Sequence, residues 1–379
     1  IMLQNKIYQN FTKEILKTFI VILFGLSLIA WTVRAVNFLD LIVENGYSIS
    51  TYFQYSLLNF FGIMTKFIPL SFLLALIVFI MKQAQENEFV ILWTSGVKKL
   101  KLANLFVVIS IFVLIFYIFF SIFVSPFALN KSRYLLNKDG FNSFLPTIRA
   151  KQFSDSFDQF TFLVDKKINN EIQNVFIYDS SNTLKNLTSD NSKQSTTTII
   201  AKEGIVEEKQ LILFNGHIIT SNKETLKNNM IKFDQINIDL KNLQTGVVKK
   251  LKLQEISTYK LLSCFKNRVT SEFNNCENNK KEEIITVLNR RIVLPFYLPI
   301  ISLLCSFLLI KSKGKKKIFL NKYTIFSITF IILLYAEMII RFTGMSKAIS
   351  LLFISTPLIL IPIIYFILNL KLSRESYFR

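Results

Sequence analysis

Six apolar stretches of this chain lack Asp, Glu, Lys and Arg altogether: residues 18–33, 67–81, 102–130, 292–310, 323–336 and 348–370. A hydrocarbon core of ~30 Å takes roughly 20 helical residues, so several of these stretches cross it only with flanking uncharged turns or a snorkelling cation. The second begins near Leu57 and carries Lys66, and the fifth carries Glu337 and ends at Arg341. Pro69 is tolerated in a span because neighbouring helices can satisfy the freed carbonyl. Six transmembrane helices are expected. With 51% hydrophobic and 14% aromatic residues among 379, the composition argues against a soluble enzyme.

Orientation follows from the short connections. Lys6, Lys13 and Lys17, then Lys82, Lys98, Lys99 and Lys101, then six lysines from Lys311 to Lys322, then Lys371, Arg374 and Arg379 all fall on one side, whereas short opposite segments hold only Lys347. The positive-inside rule places both termini in the cytoplasm. The net charge of +20 is discounted as a nucleic-acid signal, because the surplus of Lys, Asn, Ile and Phe matches AT-rich codons and the charges cluster at span ends. The first apolar stretch reads as a retained helix rather than a signal peptide.

Residues 131–288 form a polar insertion on the outside, with β-prone runs near 159–164, 172–178, 196–201 and 230–240. Asn215-Gly216 between two such runs predicts a tight hairpin turn. The insertion is expected to be an antiparallel sandwich or open jelly roll. The expected fold is thus a six-helix membrane bundle with an inserted extracytoplasmic all-β, jelly-roll-like domain. Residues 1–130 carry spans one to three, 131–288 the β domain, and 289–379 spans four to six and the tail.

Catalytic and metal chemistry find little material here. One histidine, His217, and three cysteines leave no metal set. No Walker A or G-x-G-x-x-G spacing occurs among ten glycines. His217 reads as a surface residue of the hairpin. Cys264 and Cys276 lie on the oxidising side at a spacing that permits a bridge without demanding one, and Cys305 packs within a span. No catalytic residue and no cofactor are expected.

The cytoplasmic connection at residues 85–97 is more informative. Glu86 and Glu88 stand at the first turn of a short helix, Phe89, Leu92 and Trp93 supply large apolar side chains, and Gly96 is placed to cap it. A connecting helix lying on headgroups fits this pattern. So does a coupling helix, its acids pairing with basic residues of an ATPase and its apolar residues anchoring in a groove.

The order of a span with Arg34 near its outer end, "EFVILWTSGV" after span two, a large β insertion, "LNRRIVLPF" before span four and two terminal spans resembles the lipopolysaccharide export permeases LptF and LptG over essentially the whole chain. "TVRAVNFLD" and "IIRFTG" are more similar to the F subunit. The resemblance implies a non-catalytic half of an inner-membrane transporter, paired with a homologous six-span subunit as a heterodimer and driven by a cytoplasmic ATPase dimer. Lipopolysaccharide would pass to a membrane-anchored periplasmic jelly-roll bridge. No nucleic acid is implied.

Within that resemblance, Arg34, Lys66 and Arg341 are candidates for lipid A phosphates. Arg34 stands about 25 Å along the helix from Lys17, near the outer headgroups. Interfacial snorkelling explains each of the three equally simply, and an i,i+4 pair of Glu337 with Arg341 would account for those two without substrate. Arg290 and Arg291 fit a brace between domain and span as well as lipid contact. Phe160, Phe162 and Val164 line either an ordinary β core or an acyl-chain groove. A membrane-bound extracytoplasmic sensor and a secondary transporter are the rival readings. The first lacks a cytoplasmic output domain, and the second lacks paired midplane acids.

Overall fold

The computed structural model describes residues 2–43, 47–139, 150–157, 160–168, 170–180, 195–207, 210–222, 228–239, 252–265, 281–310 and 315–377. Five of the helices there are long and apolar enough to cross a membrane, and a bent pair makes a sixth if counted as one span. The chain divides into two compact units, one of residues 1–32, 59–129 and 252–379 and the other of residues 33–58 and 130–251.

The helices of the N-terminal half are α1 (Met2–Asn37), α2 (Asp40–Val43), α3 (Ile49–Gln85), α4 (Glu88–Thr94), α5 (Lys99–Phe119) and α6 (Ser125–Asp139). Phe11, Ile15, Phe19 and Leu23 recur every fourth residue of α1 and are buried, so this helix packs along one narrow stripe and leaves Val21, Phe24, Leu28 and Ile29 exposed. Phe11 meets Phe79 of α3 edge to face at 5.2 Å, and Phe19 meets Phe72 in the same manner at 6.2 Å. A five-residue π-turn, Phe120–Val124, joins α5 to α6. Such wide turns free carbonyls of the helix ladder. Here the carbonyl of Ile122 accepts a bond from the Thr258 hydroxyl at 3.3 Å.

After the β region come α7 (Thr258–Phe265), α8 (Lys281–Ile292), α9 (Leu298–Ser306), α10 (Lys315–Ile339) and α11 (Lys347–Tyr377). The fourth span is broken. α8 and the segment Leu294–Leu309 meet at 43°, and Pro295 and Pro299 stand at the starts of the 3₁₀ turn Leu294–Tyr297 and of α9. Proline removes the amide that a continuous helix would need there. Nearly every residue of α9 is buried, which puts this segment at the centre of its unit. Ser302 reaches Ser110 of α5 at 3.3 Å, small side chains that let the two backbones approach.

In the second unit, β1 (Ser154–Phe157), β2 (Phe160–Ile168), β3 (Glu171–Asp179), β4 (Ser195–Glu207), β5 (Gln210–Asn222) and β6 (Asn228–Asp239) form one antiparallel sheet in sequential order. The two-sheet jelly-roll topology expected from sequence is not found among the described residues; the strands make an up-and-down meander. The expected hairpin at Asn215-Gly216 is also corrected. β5 runs straight through it, pairing Ala201 with Gly216 and Glu203 with Phe214.

The reason lies in a row that crosses the sheet. Asp165, Asn174, Lys202, Asn215 and Asp234 occupy corresponding unpaired positions between successive register pairs in β2 to β6. Asn174 and Asn215 have φ of 52° and 51°, the left-handed region that asparagine tolerates, and Asn174 donates to Asp165 at 3.3 Å. On either side of the row the inward face changes parity: Ile199 and Ala201 are buried in β4 before it, Gly204 and Val206 after it, and β5 repeats the change from Leu213 to Gly216. The sequence signal of a turn was therefore a real left-handed asparagine used inside a strand. Gly216 is required because a Cβ would strike the Ile200 carbonyl and the Phe233 ring.

The inward side chains of both halves form one buried cluster that includes Phe160, Phe162, Val164, Ile177, Ile199, Leu213 and Ile218. In the same unit Tyr47 donates to the Leu136 carbonyl at 3.2 Å, Tyr52 to that of Ala35 at 3.0 Å, and Phe38 packs on Tyr55. Residues 274–280 of the Asn/Lys-rich stretch, with Cys276, lie outside the described residues.

Candidate functional site

α4 is short and set off by backbone breaks on both sides. Asn87 precedes it at φ 58° and Gly96 follows at φ 86°. The Val97 amide bonds the Leu92 carbonyl at 3.1 Å, the six-to-one closure that a left-handed glycine allows. The side chains divide by helical period. Phe89 and Leu92 are buried at 7% and 8% exposure, while Val90 and Ile91 stand out at 55% and 65%.

The expectation that Phe89 and Leu92 anchor in a partner is corrected here, since both belong to the chain's own core. Leu92 shares a small cavity lining with Ile7, Tyr8, Phe11, Val97 and Leu102. Trp93, half-buried, stacks on Phe89 at 5.8 Å, and the Lys99 ammonium stands 5.8 Å over its ring. Glu86 is exposed and Glu88 half-buried. Beside them Glu14 of α1 takes Lys82 at 2.6 Å on one oxygen and Gln83 at 3.1 Å on the other, joining the C-terminal end of α3 to α1. This clamp was invisible in the sequence because its members lie far apart. The outward pair Val90 and Ile91, by contrast, follows from spacing alone.

Arg34 near the end of α1, Lys66 within α3 and Arg341 just beyond α10 are all exposed. The side chains of Arg34 and Arg341 engage in no hydrogen bond or ion pair among the described residues. Glu337 does not pair with Arg341; its Oε2 accepts from Arg290 Nη2 at 3.1 Å. A local i,i+4 pair is therefore no longer an explanation for Arg341.

Asn289, Arg290 and Arg291, three consecutive residues near the end of α8, each hold a different element. Asn289 donates to Ser350 of α11 at 3.1 Å, and Arg290 to Glu337 of α10. Arg291, 5% exposed, donates to the carbonyls of Gln254 and Ile256 at 2.8 and 2.9 Å and to the Thr258 hydroxyl at 2.8 Å. Through Thr258 it reaches the π-turn carbonyl of Ile122. Consecutive helical residues point 100° apart, so three neighbours can serve three directions. Arg291 thus braces α8 against residues 254–258 within the unit of the spans.

Phe160, Phe162 and Val164 are buried at 1%, 3% and 1%, so in this state they fill a core. His217 lies exposed on β5. Cys264 is disulfide-bonded and Cys305 is free and buried. No group of three metal-ligating side chains occurs among the described residues.

Long apolar helices, a fourth span broken at prolines and an antiparallel sheet inserted between the third and fourth spans define a multi-pass membrane protein with an inserted β domain. The profile of the lipopolysaccharide export system permease LptF/LptG matches residues 10–371, and the chain belongs to that family. It is also similar to an uncharacterized protein of Rickettsia prowazekii (strain Madrid E), 26% identical over 175 residues. That match covers 45% of this chain and about half, 48%, of the relative. Members of the family are permease components of the lipopolysaccharide export transporter rather than enzymes.

Proposed function

We propose that this chain is the F-type half of the permease, pairing with a homologous six-span subunit in the inner membrane and moving lipopolysaccharide toward a periplasmic bridge protein with work supplied by a cytoplasmic ATPase dimer. Both termini lie in the cytoplasm and the β sheet in the periplasm. The lysine distribution supports this orientation, and so does a disulfide at Cys264, which persists on the oxidising side.

The observation that carries the reading is the two-faced α4. A helix that buries Phe89 and Leu92 in its own bundle and presents Val90 and Ile91 beside Glu86 has one side fixed to the spans and one side offered outward. Force delivered to the outer side passes through Leu92 to α1 and, beside it, through the Glu14 clamp to α3. Arg34, Lys66 and Arg341 are the candidates for lipid A phosphates. Arg34 and Arg341 keep their guanidinium groups available for bidentate capture.

Co-purification in mild detergent tests the reading. An ATPase and a second six-span protein should accompany the chain; recovery of this chain alone would overturn it. Glu88→Lys should abolish export while the protein remains folded.

A further inference from the structure

We propose that Glu337 is a placeholder for phosphate: in the structure it occupies Arg290, and an outer-leaflet lipid phosphate displaces it to bind Arg290 together with Arg341. The inference rests on the reading above and adds a site and a self-competing carboxylate to it.

Counted from Lys322 along α10 and the 3₁₀ turn Ile340–Phe342 that follows it, Glu337 and Arg341 stand about 22 and 28 Å up, the depth of the outer headgroups. Arg290 meets Glu337 there from α8. Their pair is one-pronged: Nη2 alone binds Oε2, and Arg290 Nε is buried without a partner. A guanidinium engages a carboxylate or phosphate best through two parallel donors, so half of its capacity is unused.

Both partners are reachable, at 32% and 46% side-chain exposure. Arg341 lies one turn beyond Glu337, exposed and without a side-chain partner among the described residues. Two guanidiniums and one carboxylate leave a net positive site. If the Arg290 side chain swings outward, its now-buried Nε comes beside Nη2 and an entering phosphate can take both, with Arg341 balancing its second charge.

An exposed ion pair of this kind competes weakly, so the carboxylate lowers affinity by no more than about fivefold, enough for a binding site that must also let go.

The test uses the assembled transporter in nanodiscs. It compares fluorescent bisphosphorylated lipid A with the same lipid stripped of phosphate, with inorganic phosphate as competitor. Glu337→Gln should raise affinity for the phosphorylated lipid two- to fivefold and leave the stripped lipid unchanged. Arg290→Gln should remove most of the phosphate preference. Arg290→Lys, which keeps the charge but not the fork, should lose at least threefold and serves if the glutamine variant fails to assemble.

An unchanged phosphate preference in both Glu337→Gln and Arg290→Lys overturns the placeholder while leaving the export reading intact. Displacement of the lipid by millimolar inorganic phosphate overturns the lipid as the source. A wild-type transporter that binds neither lipid overturns the export reading itself.

Discussion

Replacing Arg291 by alanine should loosen the segment that leads from the β region into span four. Three hydrogen bonds of 2.8 to 2.9 Å from a charged donor are lost, each worth ~1.5 kcal/mol net, the low end for a charged donor. Relief of the buried guanidinium's desolvation offsets part of that. A loss of ~2–3 kcal/mol remains, confined to residues 252–265 because other braces are untouched. At 1.36 kcal/mol per decade, local opening becomes roughly 30 to 150 times more frequent. Amide exchange read by mass spectrometry over α7 measures this directly in detergent. Thr258→Val, which removes one Arg291 bond and the link to Ile122, should accelerate exchange only about fivefold, from ~1 kcal/mol. Arg291→Lys should fall between them. Protection of α7 unchanged within threefold in Arg291→Ala would refute the brace.

Other expectations are simpler to state. Val90→Asp with Ile91→Asp should release the ATPase on co-purification without lowering the melting temperature, whereas Leu92→Ala should destabilise the protein by ~2–4 kcal/mol, seen as a lower melting temperature. Gly216→Val should unfold the sheet, detected as protease sensitivity of the β region with the helical signal retained, because the added side chain meets backbone as well as a ring. Phe162→Ala should cost the sheet about 3–5 kcal/mol as a filled core position; near-neutral stability would instead favour an open acyl groove.

Spans were legible in the sequence because hydrocarbon demands long uncharged runs and little else satisfies that demand. Strand positions were legible too, yet their connectivity was not. Asn215-Gly216 carries the same left-handed preference in a hairpin and within a creased strand, and only the pairing of β5 with both β4 and β6 separates the two. For α4, periodicity already contained the division between Phe89 with Leu92 and Val90 with Ile91. Size alone directs Phe89 and Leu92 to a partner, whereas burial in the home bundle takes precedence. The partner of Glu337 was unreadable for another reason: Arg341 is near in sequence, while Arg290 arrives from a helix bent at 43° by the proline-containing segment that follows.

The row from Asp165 to Asp234 has an evolutionary corollary. Deleting its member from a single strand would turn everything downstream in that strand inside out while its neighbours kept their facing, exposing Leu or Ile and burying Lys or Glu. The five positions are thus coupled in number: such a sheet can lose or gain a residue along the fold line only in all the strands at once.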